Sequence, residues 1–440
     1  MQCDKPSIIL LSVVEMFIIY SLIYSLTFII ALPFYLLFRK IKGKASIKIK
    51  NRLGFGLPVF SFSGKKPIWI HAVSVGEVLA SKPLVMQLQK NYSDMPIVMS
   101  VTTQTGWNTA VSVFGDSVIL TNFPFDFGFS VKRYIKHFHP QSVIIMETEL
   151  WPRFCRTVKK FSIPLILVNG RISVTSLPQY RRMKFFVKRV LGLFDLLIVQ
   201  TALYRERFIE IGAEAKKIII APSLKYHRSN FELNEEQKKK FLRATGFGKN
   251  DVIITGGSTH QGEEDALLSV FNSLSKDRPD LRLIIAPRRP ERFAEVEMLI
   301  AKSGLSYVKR SDLNIKRSWK IMLLDKMGEL KSCYSVSRIV FVGGSLIPHG
   351  GQNLLEAAAF SVPVLFGPHI YNFIETADMI LDSGGGFMVR DERELHNTFS
   401  FLLENSLECE TAGRAARSVI DANQGGLDIV MSSLRRYIHE

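Results

Sequence analysis

Apolar positions along the chain fall into two regimes. The first is one unbroken run: Met16 to Phe38 spans 23 residues without a charge. As a helix rising 1.5 Å per residue, such a run covers a hydrocarbon core about 30 Å thick. The second regime begins near residue 64, where short apolar runs alternate with amphipathic ones, the pattern of parallel strands covered by helices. Strands are predicted at Pro67–Ala72, Pro96–Thr102, Ser117–Thr121, Ser142–Met146, Leu165–Val168 and Leu196–Gln200, with helices following Ser74, Thr105, Ser130, Leu150, Pro178 and Thr201.

A polar stretch at Pro222–Asn250, rich in Lys, Glu and Asn, interrupts the rhythm and reads as a linker plus an entry helix. The alternation resumes with strands at Asp251–Gly256, Leu281–Ala286, Lys320–Asp325, Arg338–Gly343 and Pro363–Phe366, and a long helical region closes the chain. At 440 residues, two domains are the natural division. The expected organisation is an anchor over 1–40, a first α/β domain over 41–220 and a second over 221–440. Each is Rossmann-like, and the two face each other across a cleft with ligands at the carboxyl ends of strands.

Charge separates these halves. Residues 1–220 hold 29 Lys and Arg against 12 Asp and Glu, while residues 221–440 hold 28 of each, so the whole net charge of +17 lies in the first half. One domain therefore expects an anionic partner, a membrane surface or a nucleic acid. Arg39, Lys40, Lys42, Lys44, Lys48, Lys50 and Arg52 follow the apolar run directly and orient the rest of the chain to the cytoplasmic side. A secretory signal would have a shorter apolar region and a small-residue cleavage site. Glu15 and Pro33 leave a re-entrant or monotopic insertion open beside a full span. The four cysteines, Cys3, Cys155, Cys333 and Cys409, form no CxxC pair, which argues against a zinc site and a disulfide framework.

Candidate chemistry sits where the strands end. Gly343-Gly344-Ser345 and His349–Glu356 follow one strand; glycines let a backbone approach a phosphate, and a helix starting near Asn353 would offer its N–H groups. Glu356 in its first turn suits ribose hydroxyls, or simply complements the helix dipole. Gly256–His260, with Ser258, ends a second strand, and Pro287–Arg292 ends a third, where Arg288 could grip a phosphate or carboxylate. In the first half, Ser74 and Glu77 have the spacing of a capping box, and Glu77 equally suits a general base. Glu147 and Glu149 border an apolar Trp151-Pro152 pair in a second acidic loop. Pro178–Phe194 intersperses Arg181, Arg182, Lys184, Lys188 and Arg189 with aromatic and aliphatic residues, so it reads either as a headgroup-facing helix or as an ordinary amphipathic one.

Together these stretches resemble the 3-deoxy-D-manno-octulosonic acid (Kdo) transferases, which attach Kdo from CMP-Kdo to lipid A precursors. The resemblance rests on HAVSVGE at His71–Glu77, ETELWP at Glu147–Pro152, NGRIS at Asn169–Ser173, PRRPERF at Pro287–Phe293, MGEL at Met327–Leu330, GGQNLLE at Gly350–Glu356 and VLFGPH at Val364–His369. It covers nearly the whole chain in register.

The resemblance implies a GT-B fold, an N-terminal acceptor domain, a C-terminal CMP-Kdo domain, and transfer with inversion, without a metal or other cofactor. It places the general base at Glu77. Donor contacts fall on Arg288, Met327, Gly328, Glu329, Gly351, Asn353 and Glu356, to which the hydroxyl-bearing Gly256–His260 loop adds Ser258; Glu147, Glu149 and Arg171 become candidates for the acceptor or transition state. Departures are Gln352 where His is usual, Ala357 where Pro is common, and Pro222-Ser223-Leu224-Lys225 in place of Gly-Asn-Leu-Lys.

The implied partners are CMP-Kdo, a lipid A precursor such as lipid IVA, and an anionic membrane surface, with the catalytic domains on the cytoplasmic side of the inner membrane. A lipid-linked transferase using a UDP-sugar would share fold, anchor and basic face. A sugar-nucleotide epimerase would have no need of an anchor. Nucleic acid is not expected, because no recognised module appears and the glycine loops lie in the neutral half.

Overall fold

The structure, a computed structural model, describes residues 13–41, 48–59, 64–228, 231, 233, 235–248, 250–312 and 319–438. Cys3, Lys42, Lys44 and part of the expected linker lie outside them. The chain forms two compact units, Met1–Asn230 with Gly425–Glu440, and Phe231–Gln424. The division falls ten residues beyond the boundary expected from composition, and the end of the chain returns to the first unit.

In the first unit, β1 (Ile68–Ala72), β2 (Ile97–Val101), β3 (Ile119–Asn122), β4 (Ser142–Met146), β5 (Leu165–Gly170), β6 (Leu196–Val199) and β7 (Ile218–Ile220) form a parallel seven-stranded sheet in the order β3-β2-β1-β4-β5-β6-β7. Strand direction of growth reverses between β1 and β4, which makes their carboxyl ends the crevice where doubly wound sheets bind ligands. Helices cover both faces, so strands carry apolar residues on both sides. Trp69, Val143, Ile145, Leu165 and Leu167 pack one way against Tyr134, Phe138, Phe154 and Phe208. Ile68, Ile70, Ile144, Met146 and Ile166 pack the other way, against Val78, Leu84 and Leu88 and against Leu427, Val430, Met431 and Leu434 of the terminal helix Gly426–Leu434.

The second unit repeats the plan. Strands β8 (Val252–Thr259), β9 (Leu281–Pro287), β10 (Tyr307–Lys309), β11 (Ile321–Leu323), β12 (Ile339–Val342), β13 (Val364–Phe366) and β14 (Gly386–Met388) pair in parallel in the order β10-β11-β9-β8-β12-β13-β14. Its reversal lies between β8 and β12. Gly256 and Gly257 stand inside β8 rather than in a loop after it: an added Cβ would come within 2.4 Å of Leu267 and 2.0 Å of the Tyr334 hydroxyl. Packing alone therefore demands both glycines.

The apolar run is helical over Val13–Ile41, and Glu15–Phe38 is long and apolar enough to cross a membrane. It is not a free rod. Phe17 is 1% exposed and belongs to the core of the first unit, while Leu22, Ile23, Leu26, Ile29, Ile30 and Phe34 are exposed along the rest of the helix. The expected surface helix at Pro178–Phe194 is broken at Met183 into Leu177–Arg182 and Lys184–Leu191. Phe185 faces out with Arg189 over its ring, whereas Phe186 stacks on Tyr20 and packs tilted against Phe17.

Candidate active site

Glu77 lies in the first turn of helix Val75–Asn91, directly beyond β1. Ser74 is the N-cap, but its hydroxyl does not accept from the helix; it donates to Glu77 Oε1 at 2.9 Å. Glu77 Oε2 accepts from the Val73 amide at 2.8 Å. The reciprocal capping box is therefore not made. The carboxylate is held by two donors and keeps a lone pair on each oxygen. Only 7% of Glu77 is exposed. Burial pushes its carboxyl up to about 7; the charges of Glu147 and Glu149 push the same way, against the Val73 and Ser74 hydrogen bonds.

The second acidic loop meets it from the end of β4. Glu147 is in the left-handed region at φ 55° and accepts from Arg171 Nε at 2.9 Å and Lys225 Nζ at 2.6 Å. Burial would raise this carboxyl, but Lys225 and Arg171 outweigh it and hold the group below the usual range. Burial raises the Glu149 carboxyl, and the Glu147 charge adds to it against the pull of Trp151. Thr148 and Arg171 exchange hydrogen bonds between hydroxyl and backbone, and Asn169 Oδ1 accepts from the Leu224 amide. Stretches HAVSVGE, ETELWP and NGRIS thus converge with Lys225 on one switch point. Sequence reasoning missed Lys225, whose only signal was its place in the Ser-Leu-Lys stretch.

In the second unit, Arg288 follows β9 and its Nε donates to Gln352 Oε1 at 3.3 Å. Asn353 Nδ2 donates to Glu356 Oε1 at 3.4 Å. Burial raises the Glu356 carboxyl, opposed by Lys331, Asn353 and Arg288, so these groups share one site. Gly351 (φ 76°) leaves no room for a Cβ against Ile370, and Gly328 (φ 88°) precedes Glu329, which Arg310 grips with two nitrogens at 2.6 and 3.2 Å. Met327 is exposed, and Ser258 sits at φ 54° near the end of β8.

Two expectations need correction. The Gly343–Ser345 turn is not an open anion cradle: the amides of His260, Gly344, Ser345 and Leu346 all donate to the buried Glu263 carboxylate at 2.7–3.0 Å. And the helix after Asn353 is the single turn Leu355–Ala358, too short to present a row of N–H groups. Among the described residues, no group of three or more His, Cys, Asp or Glu is placed to hold a metal ion.

Two doubly wound parallel units of seven strands each are the architecture of the GT-B fold. UDP-GlcNAc 2-epimerase from Neisseria meningitidis has the same fold, with a TM-score of 0.59 over 84% of this chain and 100% of its own at 14% identity. Residues 48–228 match the family model described as 3-deoxy-D-manno-octulosonic-acid transferase (kdotransferase). The 3-deoxy-D-manno-octulosonic acid transferase of Haemophilus influenzae is 33% identical over 421 residues, which are 94% of this chain and 98% of that one. That of Chlamydophila psittaci is 26% identical over 96% of both. The chain belongs to the Kdo transferase family.

Proposed function

We propose that the chain moves Kdo from CMP-Kdo to a hydroxyl of a lipid A precursor of the lipid IVA type, with inversion at the anomeric carbon. The acceptor oxygen forms a bond to that carbon as the bond to the CMP phosphate oxygen breaks. The acceptor's proton passes to Glu77, and CMP leaves with the electron pair. The observation that carries this reading is Glu77 itself: a carboxylate fixed by two donors at the switch point, with its pKa at about 7. A base is most effective when its pKa lies near the working pH.

Arg171 and Lys225, already neutralised in part by Glu147, are the cations of the acceptor side. In the second unit Arg288, Gly351, Asn353 and Glu356 take the donor, with Ser258 and the Met327-Gly328-Glu329 turn; the Arg310 grip gives Glu329 the job of fixing that turn. Anchor and basic first half fit an anionic inner-membrane surface with the catalytic units on the cytoplasmic side. Mass spectrometry of lipid IVA incubated with enzyme and CMP-Kdo tests the reading. Mass increments of one or more Kdo residues are expected, and none with UDP-sugars in place of CMP-Kdo. Transfer from UDP-sugars and not from CMP-Kdo would overturn it.

A further inference from the structure

Asp126 stands alone as a polar residue inside an aromatic run, Phe123-Pro124-Phe125-Asp126-Phe127-Gly128-Phe129, and its side chain is buried. Two of its three donors are the backbone amides of Arg153, to Oδ2 at 3.1 Å, and Phe154, to Oδ1 at 2.6 Å. These are the first free amides of helix Pro152–Lys160. Its N-cap, Trp151, makes no side-chain cap, and Pro152 has no N–H. A carboxylate 27 residues earlier in the chain therefore caps this helix from outside.

The third donor comes from the N-terminal helix. Tyr20 donates its hydroxyl to Asp126 Oδ2 at 2.8 Å, and one turn later the Tyr24 hydroxyl accepts from the Asp126 amide at 3.2 Å. Phe17, Tyr20, Tyr24 and Phe28 form one face of that helix. Tyr24 packs edge-on to Phe127, and Phe28 edge-on to Phe125 and Phe127.

The helix that Asp126 caps begins where the acidic loop ends. Residues 147–151 connect β4 to Pro152, so Glu147 and Glu149 are pinned at one end by the sheet and at the other by Asp126. Trp151 also packs on Phe123, whose ring stacks on His71 of β1 with centroids 3.7 Å apart. We propose that Asp126 is a positioning residue of the acidic site, and that Tyr20 and Tyr24 make the N-terminal helix a structural wall of that site as well as an attachment to lipid. The inference rests on the proposed reaction for its rate readout, and its exchange readout is independent of it.

The test uses the full chain in phospholipid vesicles containing anionic lipid. Asp126→Asn leaves one acceptor oxygen and turns an amide N–H₂ toward the remaining donors; Tyr20→Phe removes only a hydroxyl and keeps the ring. Both variants should sediment with vesicles like wild type and keep the wild-type KM for CMP-Kdo. Asp126→Asn should lose roughly tenfold or more in kcat, the scale of a small misplacement of a reacting group. Its acid limb should move to lower pH as Glu147 and Glu149 relax away from Glu77. Amide exchange over residues 153–154 should accelerate in both variants, more in Asp126→Asn.

If Asp126→Asn does not fold, Tyr20→Phe decides by the same exchange and rate measurements. Unchanged exchange with unchanged kcat and acid limb overturns the proposal. So does a rate loss that merely tracks detachment from vesicles, which would make the helix a tether only. A wild-type enzyme without an acid limb near pH 7 refutes the Glu77 assignment instead, and exchange at 153–154 still decides the role of Asp126.

Discussion

Replacing Glu77 with Gln separates catalysis from capping in one variant. Gln is nearly the same size, can still accept from the Val73 amide, and can reach Ser74, so the two local hydrogen bonds survive. Proton acceptance does not, and loss of a general base lowers turnover by roughly 10²–10⁴-fold. Stability should move in the opposite direction. The folded chain raises this carboxyl from 4.5 to about 7, so the native state binds the proton more tightly than the unfolded chain does. The resulting stabilisation is fully present below pH 4.5 and is lost as pH rises through 7, at about 1.4 kcal/mol per unit of pKa difference. Burial leaves little solvent screening at this group, so wild type carries a penalty of up to about 3 kcal/mol at pH 8.5 that Gln does not. Urea unfolding at pH 5 and pH 8.5, with transfer rate and CMP affinity, measures all of it. Expected are a slow enzyme, normal CMP binding, and a gain in stability confined to the higher pH. A variant keeping more than about a tenth of wild-type turnover, with the same stability change at both pH values, would falsify the assignment.

Other expectations follow from the same geometry. Glu356→Ala and Arg288→Ala should each weaken CMP binding by about 1.5–3 kcal/mol with little change in melting, since each removes a charged partner from a partly open site; calorimetric titration with CMP checks this, and unchanged affinity in both moves the donor site elsewhere. Lys225→Met leaves the buried Glu147 carboxylate with one cation instead of two and should cost about 1–3 kcal/mol at neutral pH. Glu147 is depressed in the folded state, so that cost should fade as pH falls through its folded pKa below 4.5, read as converging acid-unfolding curves. Phe17→Ala should destabilise the first unit by roughly 3–5 kcal/mol, the range for a fully buried Phe; a melting transition identical to wild type would mean that the N-terminal helix is not part of the core.

The eleven strands read from the sequence are all present, and the three that were missed, β7, β10 and β14, have a shared reason. Each is an edge of its sheet and three residues long. β10 and β14 are half-buried throughout, so neither offers the continuous apolar run that marks a strand covered on both faces. The acidic site was legible because a doubly wound fold puts functional side chains where strands end: HAVSVGE runs out of the end of β1, and ETELWP follows β4. The Gly256–Gly257 pair, expected in a turn, stands inside β8 for a physical reason. A glycine that lets a phosphate approach and one that lets Tyr334 or Leu267 approach look alike in sequence. Nor could spacing reveal that Glu263, near a helix start, turns back to fill the amide nest after β12, or that Asp126 caps a helix to which it is not adjacent. Long-range pairings of this kind leave no periodic signal.

The return of the terminal helix to the first unit has a consequence for how the chain matures on the ribosome. Phe231–Gln424 is one continuous segment and can close as soon as it emerges, whereas the first unit is split by it. Leu427, Val430, Met431 and Leu434 cover one face of the first sheet, and Gly426 packs so closely on the Pro222 carbonyl that a Cβ there would lie 2.1 Å from its oxygen. Until those residues are made, Ile68, Ile70 and Ile144 lack part of their cover. At roughly 5–20 residues per second the intervening segment takes on the order of 10–40 s to synthesise, so for that time the earlier-made unit presents an unfinished apolar surface. Premature termination near residue 424 would leave the second unit whole and the first permanently open, a protein prone to aggregate.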